Sequence, residues 1–387
     1  MRIVSYDLSK VMQGTVAPFV IKDCMDAFRG LGHDVYTIDL VALGDTPEER
    51  LKNLEKMLLK IRPDFVFTYN DFCLTPGVLK RLKIPYVSWF LDRPPAPLNM
   101  KEYISPYYTL FVWDKAYVEE LKKSGIERVY HLPNAANPDV FKEIKLNKEE
   151  KEKYGCDVSF VGCSFYGPYK EFKEIRNPLI KGVLEEAIKI KGGNPLLDTS
   201  RVIRNITESL PYSLNLKEKA LARLEVAAMG RYRKEIIEEV SDLGLVCVYG
   251  DEGWRKLLEG ERIRLICRWI DPREELPIIY NASKINLNIS RSQARTGLTK
   301  RVFEVMTCGG FVLTDYKKDL DNLFEEDEVV YYRNKSELRK LTEYFLDNHS
   351  ERKRIAQNGR RRILRKHTFK HRMEKVIEIM EDGKGKR

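Results

Sequence analysis

Apolar residues in the first third of the chain cluster in short solid runs, separated by longer stretches with a helical rhythm. Residues 3–7, 34–40, 64–69, 86–90, 110–113 and 129–132 are such runs and predict buried strands. Residues 16–31 carry apolar Phe19, Val20, Met25, Ala27 and Phe28 and stop at Gly32, which predicts a helix with a glycine beyond its end. Residues 46–61 open on Thr46-Pro47-Glu48-Glu49 and stop before Pro63, a good helix start and stop. Strands alternating with helices predict parallel βαβ units, whose ligands sit outside the carboxyl ends of the strands.

The alternation breaks at the Pro/Asn-rich stretch Leu132-Pro133-Asn134-Ala135-Ala136-Asn137-Pro138 and resumes with a strand at 157–162. Residues 170–232 do not fit a βα unit. They read as helices near 177–191, 198–209 and 216–229, with a break at Gly192-Gly193-Asn194-Pro195. Strands then follow at 245–249, 263–270, 285–289, 311–314 and 329–332, with helices at 232–243, 253–258, 272–281 and 299–306, and a helical remainder over 336–380. The expected fold is α/β with two Rossmann-like halves. Residues 1–135 form the first domain, 136–156 a linker, and 157–365 a second domain with a helical insertion at about 170–232. Residues 366–387 carry a closing helix expected to cross back to the first domain, and Gly383-Lys384-Gly385-Lys386-Arg387 read as a frayed tail.

Length agrees with two domains, since 387 residues exceed what one core usually serves. The N-terminus reads as a buried first strand and not as a signal peptide, and nowhere do about 18 apolar residues run together to span a bilayer. The seven cysteines, Cys24, Cys73, Cys156, Cys163, Cys247, Cys267 and Cys308, contain no C-x-x-C pair and read as reduced, buried thiols. A cytoplasmic location follows, with attachment to a membrane periphery open to the basic end of the chain. Formal charge is +10, and much of the excess lies in Arg352-Lys353-Arg354, Arg360-Arg361-Arg362, Arg365-Lys366 and Arg372. That run is either a solvated helical face or a surface for an anionic membrane or polyanionic acceptor. It lacks the interleaved aromatics that nucleic-acid binding calls for.

The segment richest in chemistry is Gly297 to Asp315, which predicts a loop, a short helix, a Gly309-Gly310 turn and a buried strand. Backbone N–H groups at such a helix start can hold a diphosphate. Lys300 and Arg301 add positive charge beside them. Glu304 lies about one turn inside, where a carboxylate either accepts hydrogen bonds from a ribose diol or serves an ordinary capping or ion-pair role.

This segment resembles the donor-site motif of GT-B glycosyltransferases. Residues Tyr280-Asn281-Ala282-Ser283-Lys284-Ile285-Asn286-Leu287-Asn288-Ile289-Ser290, followed by Arg301-Val302-Phe303-Glu304, are similar to the spore-maturation, CgeB-like group within family 1 of these enzymes. The resemblance is strong over 245–380 and weak over the first domain. It implies two Rossmann-like domains facing across a cleft, acceptor on the first and nucleotide sugar on the second. The implied reaction moves a sugar from a UDP- or GDP-type donor to a glycan, lipid-linked or protein acceptor. Glu304 would bind the ribose hydroxyls. Gly297, Leu298 and Thr299 would offer amides to the diphosphate, Thr299 also its hydroxyl, and Lys300 or Arg301 would neutralise it. Many members carry a second Glu eight residues earlier, where this chain has Thr296.

Further donor contacts are expected at Trp269 and Ile270, where Trp269 is either a stacking face or core, and at Gly250, which ends a strand on the same edge. Relatives place a phosphate-binding Arg/Lys pair in a loop comparable to that holding Arg233 and Lys234. In the first domain, Gly14-Thr15 opens the first helix after strand 3–7 and can border donor phosphates or acceptor.

An acceptor hydroxyl needs a base as its bond forms. Asp92, between a buried strand and the Pro94-Pro95 turn, is the first candidate, Asp71 the second, and His131 a third at the end of its strand; each also admits a structural role. The five histidines show no metal spacing and no Asp-x-Asp pair is suitably placed, so no metal or other cofactor is expected, the nucleotide sugar being a co-substrate. Two alternatives stay open: a nucleotide-sugar epimerase on the same fold, and a non-enzymatic polyanion-binding protein.

Overall fold

A computed structural model describes residues 1–72, 75–94, 104–174, 177–193, 202–203, 205–206 and 218–382. The chain divides into two compact units, one made of Met1–Asn137 and Lys366–Arg387, the other of Pro138–Arg365. Pro95, Cys73, the tail 383–387 and most of the helix expected at 198–209 lie outside the described residues.

In the first unit, β1 (Arg2–Tyr6), β2 (Asp34–Ile38), β3 (Phe65–Tyr69), β4 (Tyr86–Phe90), β5 (Tyr108–Val112) and β6 (Val129–His131) form one sheet in the order β2-β1-β3-β4-β5-β6. Every pairing is parallel. Strands β3, β4 and β5 are buried along their whole length, as a sheet covered on both faces requires. The helices are α1 (Ala17–Gly30), α2 (Pro47–Ile61), α3 (Pro76–Arg81) and α4 (Lys115–Lys123). Thr46 starts α2 through a capping box with Glu49, and Asp114 caps α4.

The second sheet is built from β7 (Cys156–Val161), β8 (Val246–Gly250), β9 (Ile263–Cys267), β10 (Ser283–Asn288), β11 (Val312–Asp315) and β12 (Val330–Tyr332) in the order β12-β11-β10-β7-β8-β9, again parallel throughout. Its helices include α5 (Lys148–Tyr154), which lies inside the stretch expected as linker, α6 (Tyr166–Glu174), α7 (Pro178–Gly193) and α8 (Glu218–Val240). They continue with α9 (Trp254–Leu257), α10 (Glu275–Ala282), α11 (Lys300–Thr307), α12 (Leu320–Leu323), α13 (Lys335–Asp347) and α14 (His349–Lys366). Each sheet reverses its strand order once, between β1 and β3 in the first unit and between β7 and β10 in the second. Those reversals open crevices beyond the strand ends.

Helix α8 corrects the sequence reading. Two helices were expected, 216–229 and 232–243, with a break at Gly230-Arg231; one continuous helix of 23 residues runs through it. Gly230 does not break the helix. It is there because a Cβ would come within 2.9 Å of the Ser164 carbonyl oxygen and 3.2 Å of Phe165's. Helix α8 therefore packs directly against the loop that follows β7. Its far end, with Ile236, Ile237 and Val240 fully buried, lies in the core with Val158, Phe160 and Leu287. At 1.5 Å per residue α8 is about 34 Å long, about twice a five-residue strand.

The last helix, α15 (Phe369–Asp382), belongs to the first unit. Phe369, Met373 and Val376 join its core, and Phe369 meets Trp89 edge to face at 6.0 Å. Each such side chain contributes roughly 1.5–3 kcal/mol of transfer free energy. Arg372 is buried beside them. Its Nε donates to the Pro133 carbonyl at 2.7 Å, and Nη2 to the Asn134 carbonyl at 2.8 Å and to His367 Nδ1 at 2.8 Å.

The basic run is thus not a uniformly solvated face. Arg352 is buried on the carbonyls of Phe345 and Leu346, and Arg362 is buried on Glu325 and Glu328 at 2.6 Å each. Arg360 reaches the Thr307 carbonyl at 3.2 Å. The expectation of uniformly buried thiols is also corrected at Cys163, which is exposed, while Cys24, Cys156, Cys247 and Cys308 are buried. No helix among the described residues is long and apolar enough to cross a membrane.

Candidate functional site

In the second unit, polar chemistry gathers at the reversal between β7 and β10. Arg233 projects from α8 into this place and is 2% exposed. Its Nη1 donates to the Cys163 carbonyl, just after β7, at 2.8 Å; Nη2 donates to the Ile289 carbonyl, just after β10, at 3.3 Å. One guanidinium therefore ties the two loops that frame the crevice. Phe160 and Phe165 lie 5.5 and 4.8 Å from it as cation–π partners. Nε is buried with no hydrogen-bond partner. Burial, and then the neighbouring charges of Arg291 and Arg301, push this guanidinium well below its ordinary pKa. Arg291 and Arg301 add positive charge near it, which Asp315 offsets in part.

Lys234 does not join them. Successive helical residues point about 100° apart, and Lys234 pairs with Glu238 on the surface instead. The Arg233/Lys234 pair expected from the sequence is split by the helix that carries it.

Helix α11 starts beside this cluster. Thr299 is its N-cap by position, yet its hydroxyl donates to Asn288 Oδ1 at 3.0 Å and caps nothing. Arg301 Nη1 reaches the same Asn288 oxygen at 3.4 Å, while Asn288 Nδ2 donates to Thr314 Oγ1 at 2.8 Å. Asn288 thus fixes the first turn of α11 against β10 and β11. The helix has two cations and no acid in its first turn, an unfavourable arrangement against its own dipole that an arriving anion would relieve. Gly297 is buried before it, and Leu298 is a core residue whose side chain is closed to a ligand.

Glu304 is 3% exposed, one turn inside α11. Its Oε1 lies 2.7 Å from Lys300 Nζ, although the angles do not make a hydrogen bond. Burial first, and the Glu304 charge second, raise the Tyr280 hydroxyl and the Cys308 thiol above their ordinary values. Both groups accordingly stay neutral around this carboxylate. Asp315, at the end of β11, is buried, accepts from the Ser290 N–H at 2.8 Å and lies 3.8 Å from Lys317 Nζ.

On the other side of the crevice, Gly250 ends β8 against the Gly162 carbonyl, where a Cβ would come within 2.2 Å. Its position is one of packing between loops. Asp251 then accepts from the Ser164 N–H at 2.7 Å and from the Gly253 N–H at 2.9 Å. Trp269 is 57% exposed and not core, so its indole remains available for stacking; Ile270 is buried. Arg268 beside them is locked on Glu275 by bonds of 2.8 and 2.5 Å, holding that carboxyl at about 2.

In the first unit, Asp92 and Trp113, past the ends of β4 and β5, form a belt with His131, the last residue of β6. Asn70 donates to Asp92 Oδ2 at 2.7 Å, Trp113 Nε1 donates to the Asp92 carbonyl at 3.3 Å, and His131 Nε2 lies 3.3 Å from the Trp113 carbonyl. Asp71 is not part of this edge. Asn70 and Asp71 both have positive φ, of 50° and 55°, and turn the chain back over the sheet. The Asp71 N–H then donates to Ser88 Oγ at 3.0 Å, and its carboxylate accepts from Tyr108 at 3.1 Å. Gly14 and Thr15 are exposed in the loop after β1, and the Thr15 hydroxyl is used locally, donating to the Met12 carbonyl at 2.8 Å.

Sequence reasoning passed over Arg291, Asn288 and Asp315. A signal existed for one of them: Asn286 and Asn288 alternate with apolar residues in a central strand, where a polar side chain needs a partner.

Residues 231–378 match a protein family described as glycosyl transferase-like. No curated protein sequence matches the chain. Solved structures resemble it over its whole length at low identity. The Anabaena HepE protein, solved with UDP and glucose, has a TM-score of 0.57 at 11% identity, covering 99% of this chain and 100% of that one. Sucrose-phosphate synthase from Thermosynechococcus elongatus has a TM-score of 0.57 at 10% identity, covering 100% of both. The catalytic domain of starch synthase IV from Arabidopsis thaliana, bound to ADP and acarbose, has a TM-score of 0.57 at 9% identity, covering 99% of this chain and 98% of that one. With its two parallel α/β units, the chain has the GT-B fold.

Proposed function

We propose that this protein is a glycosyltransferase that takes a sugar from a UDP- or GDP-type nucleotide sugar and gives it to a glycan, lipid-linked or protein acceptor. One observation carries the reading. A buried arginine from α8 bridges the two loops of the second unit's crevice, among Arg291 and Arg301 and beside the uncapped start of α11. A diphosphate is an anion of fitting charge, and Glu304 one turn further in suits the hydroxyls of a ribose. The similar structures solved with UDP or ADP support the same class of ligand.

In this reading the leaving diphosphate is stabilised by fixed guanidinium groups and helix amides, the kind of preorganised charge that stabilises a developing anion. Asp92, held by Asn70, takes the proton from the acceptor hydroxyl, and Trp269 offers a face to the base. The alternative of a polyanion-binding protein draws little support. Arg352, Arg362 and Arg372, three of the cations it would use, are buried and hydrogen-bonded.

Calorimetry with UDP and GDP tests the reading. One of them binds the wild type, and Glu304→Ala weakens it by roughly tenfold or more, the worth of hydrogen bonds to a charged acceptor, with an unchanged circular dichroism spectrum. Equal affinity in the variant would remove Glu304 from the site.

A further inference from the structure

The Lys300–Glu304 pair is placed against the usual electrostatics of a helix. Lys300 is the first residue of α11, where the positive end of the helix dipole opposes a cation. Lysine four residues before glutamate is also the weaker of the two i,i+4 orders. Nevertheless Nζ lies 2.7 Å from Oε1, with the glutamate side chain 4% and the lysine side chain 26% exposed. Oε1 is buried and makes no aligned hydrogen bond. The contact therefore depends on charge alone, on a carboxylate that is otherwise sealed from water.

We infer that Lys300 is a latch on the carboxylate that binds the ribose, and that it makes the site select nucleotides over nucleosides. Without ligand the ammonium occupies Glu304. A diphosphate arriving at the start of α11 gives Lys300 a stronger anion and frees Glu304 for the sugar hydroxyls. A nucleoside must break the pair and offers the ammonium no new partner. The two halves of the ligand are thereby coupled, because occupying one subsite alters the affinity of the other. This inference rests on the nucleotide reading given above.

The test compares uridine with UDP, and guanosine with GDP, on wild type, Lys300→Ala and Lys300→Arg. For the base that binds, Lys300→Ala binds the nucleoside about two- to fivefold tighter, the range expected for releasing a partly exposed ion pair. The same variant binds the diphosphate more weakly, so the ratio between the two affinities narrows from both sides. Lys300→Arg keeps the wild-type order, since it retains the charge. Unchanged or weaker nucleoside binding in Lys300→Ala, with the wild type binding the diphosphate, overturns the latch and leaves the nucleotide reading standing. A wild type that binds neither diphosphate overturns both.

Discussion

Asn70 grips Asp92 at two levels: its Nδ2 donates to Asp92 Oδ2 at 2.7 Å, and its Oδ1 accepts the N–H groups of Leu91 at 2.8 Å and Asp92 at 3.3 Å. One side chain after β3 thus sets both the backbone and the carboxylate of the residue after β4. The positive φ of Asn70 is what turns its amide toward that neighbour.

If Asp92 is the base, Asp92→Asn lowers transfer by at least about a hundredfold, the usual worth of general base catalysis, while donor affinity by calorimetry stays as in the wild type. Asn70→Gly tolerates the backbone conformation and loses only the positioning, so transfer falls less, by about tenfold, in kcat more than in KM. Full activity in Asp92→Asn would take this residue out of the mechanism.

Arg372 is the second site where one residue carries much. Replacing it with Met removes the donor from the buried carbonyl of Asn134 and the half-buried one of Pro133, a loss of about 1–3 kcal/mol for each carbonyl left without a partner. Unfolding of the first unit in urea then begins at lower denaturant, by about 3 kcal/mol, and Arg372→Lys recovers part of the loss. An unaltered urea profile would mean that water replaces the guanidinium at no cost.

The Arg268–Glu275 pair gives a pH dependence. Arg268 first, with the Asp271 N–H and the Tyr154 hydroxyl, holds the Glu275 carboxyl at about 2, below its ordinary 4.5. A carboxyl depressed in the folded state stabilises it fully above about 4.5 and loses that contribution as pH falls toward 2. Arg268 is 46% exposed, so solvent screening limits the effect to about 1 kcal/mol. Glu275→Gln is therefore less stable than wild type at pH 7, and the difference narrows between pH 4.5 and pH 3. A difference that stays constant over that range would assign the loss to packing.

The alternation of strands and helices was legible because both sheets are parallel and buried, so that strands appear as solid apolar runs. Glu304 was legible as a position but not as half of a buried ion pair, which depends on where the first turn of α11 leans. Arg233 was compared with a loop of relatives, and the helices on either side of Gly230-Arg231 were read as separate, 216–229 and 232–243. The structure shows that this glycine answers to the carbonyls of Ser164 and Phe165, a contact between residues more than sixty positions apart that no local pattern encodes. The placement of Asp71 was not legible for a similar reason. Two consecutive residues of positive φ turn it away from the strand end, and only the finished sheet rewards that turn, through Ser88 and Tyr108.

Helix α8 serves as crossover and as carrier of Arg233 at once. Trimming the insertion to an ordinary single-helix connection that begins after Gly230 would preserve this guanidinium; beginning it three residues later would delete it and untie β7's loop from β10's. The helical insertion is therefore tethered to the crevice of the second unit through this one side chain. Grafting experiments that exchange it between proteins of this architecture must transplant a positive charge along with the helices.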